Sequence, residues 1–171
     1  MNKLYAIAVA IICLSACKDK TLSKEEAFQL LEKSGRYPKV YEHHIYTKDT
    51  EDGRKALDVG LERDSLLRVA RNIKTGDNHT QVITFTEKAK PYLLPADQGQ
   101  LSSVQKVRIA TEILDQITAL KTNADGTVAA INYTTKFIEI TPFAKLQKQD
   151  YDVTRTHQAK FVLTKKKWKI E

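Results

Sequence analysis

The chain has 171 residues, 42% of them hydrophobic and 29% charged, and carries a formal charge of +7 at neutral pH. That length suits one domain with a sizeable core, and the basic balance favours acidic partners in general, whether anionic lipid heads, lipopolysaccharide phosphates or nucleic acid, without selecting one. The six glycines stand singly, too far apart for a phosphate-cradling loop, which argues against nucleotide hydrolysis and dinucleotide chemistry; there is also no Gly-x-Ser-x-Gly nucleophile elbow.

In chain order, the first feature is a leader. Lys3 gives a charged start, and Leu4 to Leu14 form an uncharged apolar run of eleven residues. At about 1.5 Å per helical residue the run is too short for a hydrocarbon core of roughly 30 Å, so it reads as the apolar region of a signal peptide. No other window is long and apolar enough to span a bilayer.

Leu14, Ser15, Ala16 and Cys17 close that run and resemble the lipobox of bacterial lipoproteins. The resemblance implies that residues 1–16 are removed as a signal peptide. It also implies that Cys17 receives a thioether-linked diacylglycerol and that the new amino group is acylated as well. Each buried methylene contributes about 0.8 kcal/mol, so two or three acyl chains hold a protein on a membrane that one chain would leave. By the same resemblance, Lys18 directly after the lipidated cysteine, where an aspartate would retain the protein at the inner membrane in enteric-type bacteria, implies the outer membrane of a Gram-negative bacterium.

Cleavage would remove Cys13 and Lys3, leaving a charge of +6 and no free thiol, so stability must come from packing, and thiol catalysis is absent. Residues 17–22 read as a polar tether, followed by a helix and hairpin region over 23–94 and a sheet region over 104–171. Ser23 and Glu26 form a capping box, and Ala27, Leu30 and Leu31 recur at helical spacing, with Gly35 as a left-handed stop. Pro38 pushes Tyr37 toward an extended backbone, and Val40 to Tyr46 read as a strand. From Thr47 to Arg63 the chain is charged, with a helical turn around Lys55 to Val59.

Leu66 to Asn72 and Thr80 to Phe85 read as a hairpin turning through Lys74 to Asn78, and Thr86 reads as the cap of a short helix reaching Tyr92. The stretch from Gly60-Leu61 through Ile83 to Ala89 resembles the wing end of a winged-helix module. Pro95 to Ser103 is polar and reads as a linker or long loop. Val104 to Leu120 fits both a strand and a helical face; the turn signal Asn123 to Gly126 and the β-branched and aromatic run Thr127 to Ile140 favour strand. Thr141-Pro142-Phe143 breaks that run, Thr156 to Thr164 form a third strand, and Lys165-Lys166-Lys167 turn into a last one at Trp168 to Ile170. The expected class is α+β: an N-terminal helix and hairpin, then an antiparallel sheet of three or four strands.

Chemistry is sparse. His43 and His44, beside Glu42, point to opposite faces of a strand and cannot easily share an ion; His79 and His157 have no evident partner. No metal or cofactor is expected. Glu112 and Asp115 sit in a mostly apolar segment and are the carboxylate pair that could serve a hydrolase. On a strand they face opposite ways, as a solvent-facing and a strand-end acid. Lys165, Lys166, Lys167 and Lys169 around Trp168 form either a basic patch for a polyanion or a charged edge over a buried indole; alternation favours the second. Tyr133, Phe137, Phe143, Phe161 and Trp168 either line a pocket under a curved sheet, as in small cystatin- or NTF2-like ligand-binding folds, or simply pack a core. Function is then expected to be non-catalytic: a lipid-anchored binding or accessory module that meets an envelope protein. An envelope inhibitor or immunity-type protein, and a hydrolase using Glu112 or Asp115, are the alternatives. Export argues against a nucleic-acid partner.

Overall fold

The computed structural model describes residues 21–71, 80–97, 99 and 101–171. The leader, Cys17, the Lys74 to Asn78 turn and His79 lie outside the described residues.

Helix α1 spans Lys24–Lys33. Ser23 caps it, its hydroxyl accepting from the Glu26 N–H at 3.1 Å, and Glu25 and Glu26 sit in the first turn where the helix dipole favours them. Gly35 follows at φ +72°, which stops the helix at no steric cost. After it come strand β1 (Lys39–Tyr46) and helix α2 (Thr50–Asp58). Two three-residue strands, β2 (Leu67–Val69) and β3 (Ile83–Phe85), form a separate ribbon. Then come β4 (Val104–Thr122), β5 (Val128–Ile138), β6 (Arg155–Thr164) and β7 (Lys167–Ile170). The main sheet is a curled antiparallel meander in the order β1-β4-β5-β6-β7. Five strands therefore replace the three or four expected, because β1, from the first half of the chain, pairs with β4.

The ambiguous segment Val104 to Leu120 is strand throughout, as its many Val, Ile and Thr residues favour. Its length organises the molecule. The first part of β4, from Val104 to Glu112, pairs with β1, and the part from Thr111 to Thr122 pairs with β5. β1 and β5 thus flank β4 together only around Thr111 and Glu112. The remaining edge of the first part is filled by loops: Leu93 bridges Val107, and the Leu94 and Thr141 amides donate to Lys106 and Ile109 carbonyls at 2.9 and 2.8 Å. Register breaks opposite Tyr41/Glu42, at Asp115 and at Thr118 curl the strand.

Two apolar clusters occupy the two ends of the inner face. One joins Ile45, Leu61, Leu67, Ile83, Val107, Ile109 and Phe143, roofed by α2 and the β2–β3 ribbon. Gly53 of α2 allows this: a Cβ there would lie 2.9 Å from Val82 Cγ1 and 3.2 Å from Val69 Cγ1. The other joins Leu22, Ala27 and Leu31 of the α1 region to Leu114, Ile117, Ile131, Phe161 and Trp168.

Several local expectations change. The helical turn near Lys55 is a nine-residue helix that starts at Thr50, with Asp49 accepting from the Glu51 N–H. The short helix expected beyond Thr86 is present as a 3-10 helix over Glu87–Tyr92. Thr86 does not cap it; its hydroxyl donates to the Ser65 and Leu66 carbonyls instead. The short β2–β3 pair followed by that turn does not build the wing-to-helix entry of a winged-helix module.

Candidate functional site

At the level where β1, β4, β5 and β6 lie side by side, the inner face turns polar. Glu112 is 3% exposed in the middle of β4, so it is neither a solvent-facing nor a strand-end acid, contrary to expectation. Antiparallel register brings two hydroxyl donors and an imidazole to it. Tyr41 of β1 donates its hydroxyl to Glu112 Oε2 at 2.9 Å. Thr135 of β5 donates to Oε1 at 2.6 Å. His157 of β6 places Nε2 3.6 Å from Oε1 and 2.9 Å from Thr135 Oγ1. Because the Thr135 proton is committed to Glu112, the His157 contact requires the proton on Nε2.

Aromatic rings frame this cluster. His157 stacks on Tyr133 at 5.2 Å between centroids, and Tyr133 meets the Tyr37 hydroxyl at 3.3 Å. Burial, reinforced by that contact, holds the Tyr37 phenol above its usual range. Arg155 donates to the Tyr41 hydroxyl at 3.1 Å and lies 4.6 Å over the Phe137 ring. Lys39 stands 5.0 Å over the Tyr41 ring.

Chemically this is a satisfied pin. The one hydroxyl placed between a carboxyl group and an imidazole is Thr135, which is 0% exposed, so no substrate reaches it. His157 is one-third exposed and is the cluster's opening to solvent, at the side where residues 155–159 of β6 pair only with β5.

Asp115 does not join Glu112. It sits at a register break on the opposite face, 2.9 Å from Lys136 Nζ and accepting from Thr134 at 3.0 Å. The Lys136 ammonium first, then the Thr134 hydroxyl, hold its carboxyl below the usual carboxylate range. His43 and His44 likewise part: His43 turns inward, where burial lowers its pKa, while His44 meets Glu42 at 3.2 Å. Glu42 also pairs with Lys106, whose ammonium bridges to Asp97. Among the described residues no three His, Cys, Asp or Glu side chains gather as a metal site would need.

Trp168 is buried and Lys167 and Lys169 flank it outward, the charged-edge arrangement. Tyr133, Phe137, Phe143, Phe161 and Trp168 are all buried in the two cores. A groove of about 660 Å³ opens on the other face of the sheet over Ala119, Val128, Ala130 and Asn132, with Lys121 and Lys160 at its rim; it does not reach Glu112. Tyr41, Thr135 and Arg155 were missed in sequence because their partners lie on other strands. The one signal available was a glutamate inside an apolar run. Comparison of the chain with protein-family models, curated proteins and solved structures finds no match to any.

Proposed function

We propose that the protein is an exported lipoprotein, moored through lipid on Cys17 to the outer membrane of a Gram-negative bacterium, whose folded body is a non-catalytic binding or accessory module for an envelope protein. One observation carries the reading: the Leu14-Ser15-Ala16-Cys17 motif closes the apolar run, and only a few residues later Leu22 is already packed in a core. The body is thus cargo held close to its anchor. The enclosure of Glu112 and Thr135 supports the non-catalytic half of the proposal. We also read the body as akin in architecture to the small cystatin- and NTF2-like folds, on the strength of a helix packed against one face of a curled antiparallel meander.

Mass spectrometry of the native product tests the anchor. The expected amino terminus is Cys17 bearing a diacylglyceryl group; an unmodified thiol, or a chain starting at Met1, sinks the reading. Cys17→Ala moves the protein out of the membrane fraction. Capture of partners from the envelope separates an accessory module from an inhibitor, by whether a structural component or an active enzyme is recovered. A hydrolase using Glu112 or Asp115 would lose turnover in Glu112→Gln or Asp115→Asn.

A further inference from the structure

Charge is divided unequally between the two ends of the molecule. The α1 half, residues 21–37, 113–135 and 155–171, holds ten Lys or Arg against six Asp or Glu. The other half, the described residues of 38–112 and 136–154, holds fourteen against thirteen. Most of the net charge of the described residues therefore lies around the core that contains Leu22 and Trp168. Its densest part is the β6–β7 hairpin, where Lys165, Lys166, Lys167 and Lys169 are all exposed.

The tether is short. Four residues, Cys17 to Lys20, precede the described body, and four residues reach at most about 14 Å when fully extended. Leu22 is buried and cannot be drawn out to lengthen the reach. Whatever holds Cys17 is thus held within about 14 Å of the α1 half, less than two Debye lengths of about 8 Å at physiological salt. We infer that the α1 half, through the lysines of the β6–β7 hairpin, docks on an anionic lipid bilayer and sets the orientation of the body. This inference rests on the lipid anchor at Cys17 proposed above. Charge complementarity selects the occupant: an anionic headgroup layer is the one polyanion that a short tether brings to this face by construction.

The test uses the lipidated, mature full chain in vesicles of phosphatidylcholine alone or with phosphatidylglycerol added, labelled with an amine-reactive reagent and read by mass spectrometry. In anionic vesicles the labelling of Lys165, Lys167 and Lys169 is expected to fall about fivefold, from attraction worth about 1 kcal/mol per basic residue near the surface. High salt should restore it, and Lys39, Lys88 and Lys145 in the other half should label equally in both vesicles. Lys167→Glu with Lys169→Glu should abolish the difference at Lys165. Equal labelling of the hairpin in both vesicles overturns the inference, as does protection of Lys88 and Lys145 instead. Hairpin protection that arises only when an envelope protein is added also overturns it, by assigning the lysines to that partner. Failure of the anchor itself is told apart, because an unlipidated chain does not float with neutral vesicles at all.

Discussion

Glu112 shows what burying a carboxyl group in a sheet demands. Each of its oxygens accepts a hydroxyl, from Tyr41 and from Thr135, and removing one partner leaves a buried acceptor short, at about 1–3 kcal/mol. Tyr41→Phe and Thr135→Val are each expected to lower unfolding free energy by about that amount in urea titration. Because both bond the same carboxyl group, the double variant should fall short of the sum; strict additivity would show that the two hydroxyls act independently.

His43 sets a pH dependence of its own. Burial lowers its pKa first, opposed by Asp52 and aided by the nearby His44 and Lys55 charges. The unfolded chain therefore takes up its proton from about pH 6.5 downward while the folded chain does not, so stability is lost as pH falls below that value. Asp115 acts in the same direction further down, since its folded value also lies below the ordinary 3.8. His43→Gln should flatten the stability profile just below pH 6.5 and leave the acid limb intact; an unchanged slope there would assign it to another group.

At the scale of elements, two backbone positions decide local stability. Lys165 and Lys166 join β6 to β7 at φ +49° and +63°, the left-handed pair of a type I′ turn, which costs L-residues about 1–2 kcal/mol each and suits Asn-Gly. Lys165→Asn with Lys166→Gly should raise the melting temperature by several degrees, against which a fall would count as evidence of contacts made by the lysines themselves. Gly53 works the other way. Alanine gains about 1 kcal/mol in a helix interior, but its Cβ would press on Val82 and Val69, and overpacking costs about 1–3 kcal/mol. Gly53→Ala is expected to be net destabilising by calorimetry.

These elements also mark how far residues alone lead. The α1 cap, the turn at Asn123 to Gly126 and the Lys-rich turn before Trp168 are local signals, and β-branched composition settles β4 as strand. The Glu112 cluster is different in kind. Tyr41 is 71 residues from Glu112 and Thr135 is 23, and three register breaks in β4 shift which side chains face inward, so alternation counted along the chain loses phase. The short helix after Thr86 was legible, but its missing side-chain cap was not, because Thr86 spends its hydroxyl on a distant loop rather than on the following turn.

At the scale of the whole molecule, the two cores hang on one strand. Leu31 belongs to one and Phe143 to the other, and both are fully buried. Leu31→Ala should cost about 2–5 kcal/mol and Phe143→Ala about 3–5. Since β4 runs through both cores and Glu112 ties four strands at the crossing, either variant should unfold in a single urea transition, with hydrogen exchange quickened at both ends. Two separate transitions would show that the halves are independent units.

β4 is also a measure of distance. Nineteen residues at about 3.3 Å each make a beam of roughly 60 Å before the kinks shorten it. With its α1 end moored at the lipid surface as proposed, the opposite tip, carrying α2 and the small ribbon, is held out like the arm of a signal post, several nanometres into the compartment that the membrane bounds. A partner arriving from that side would meet this nearly neutral end first, clear of the headgroups.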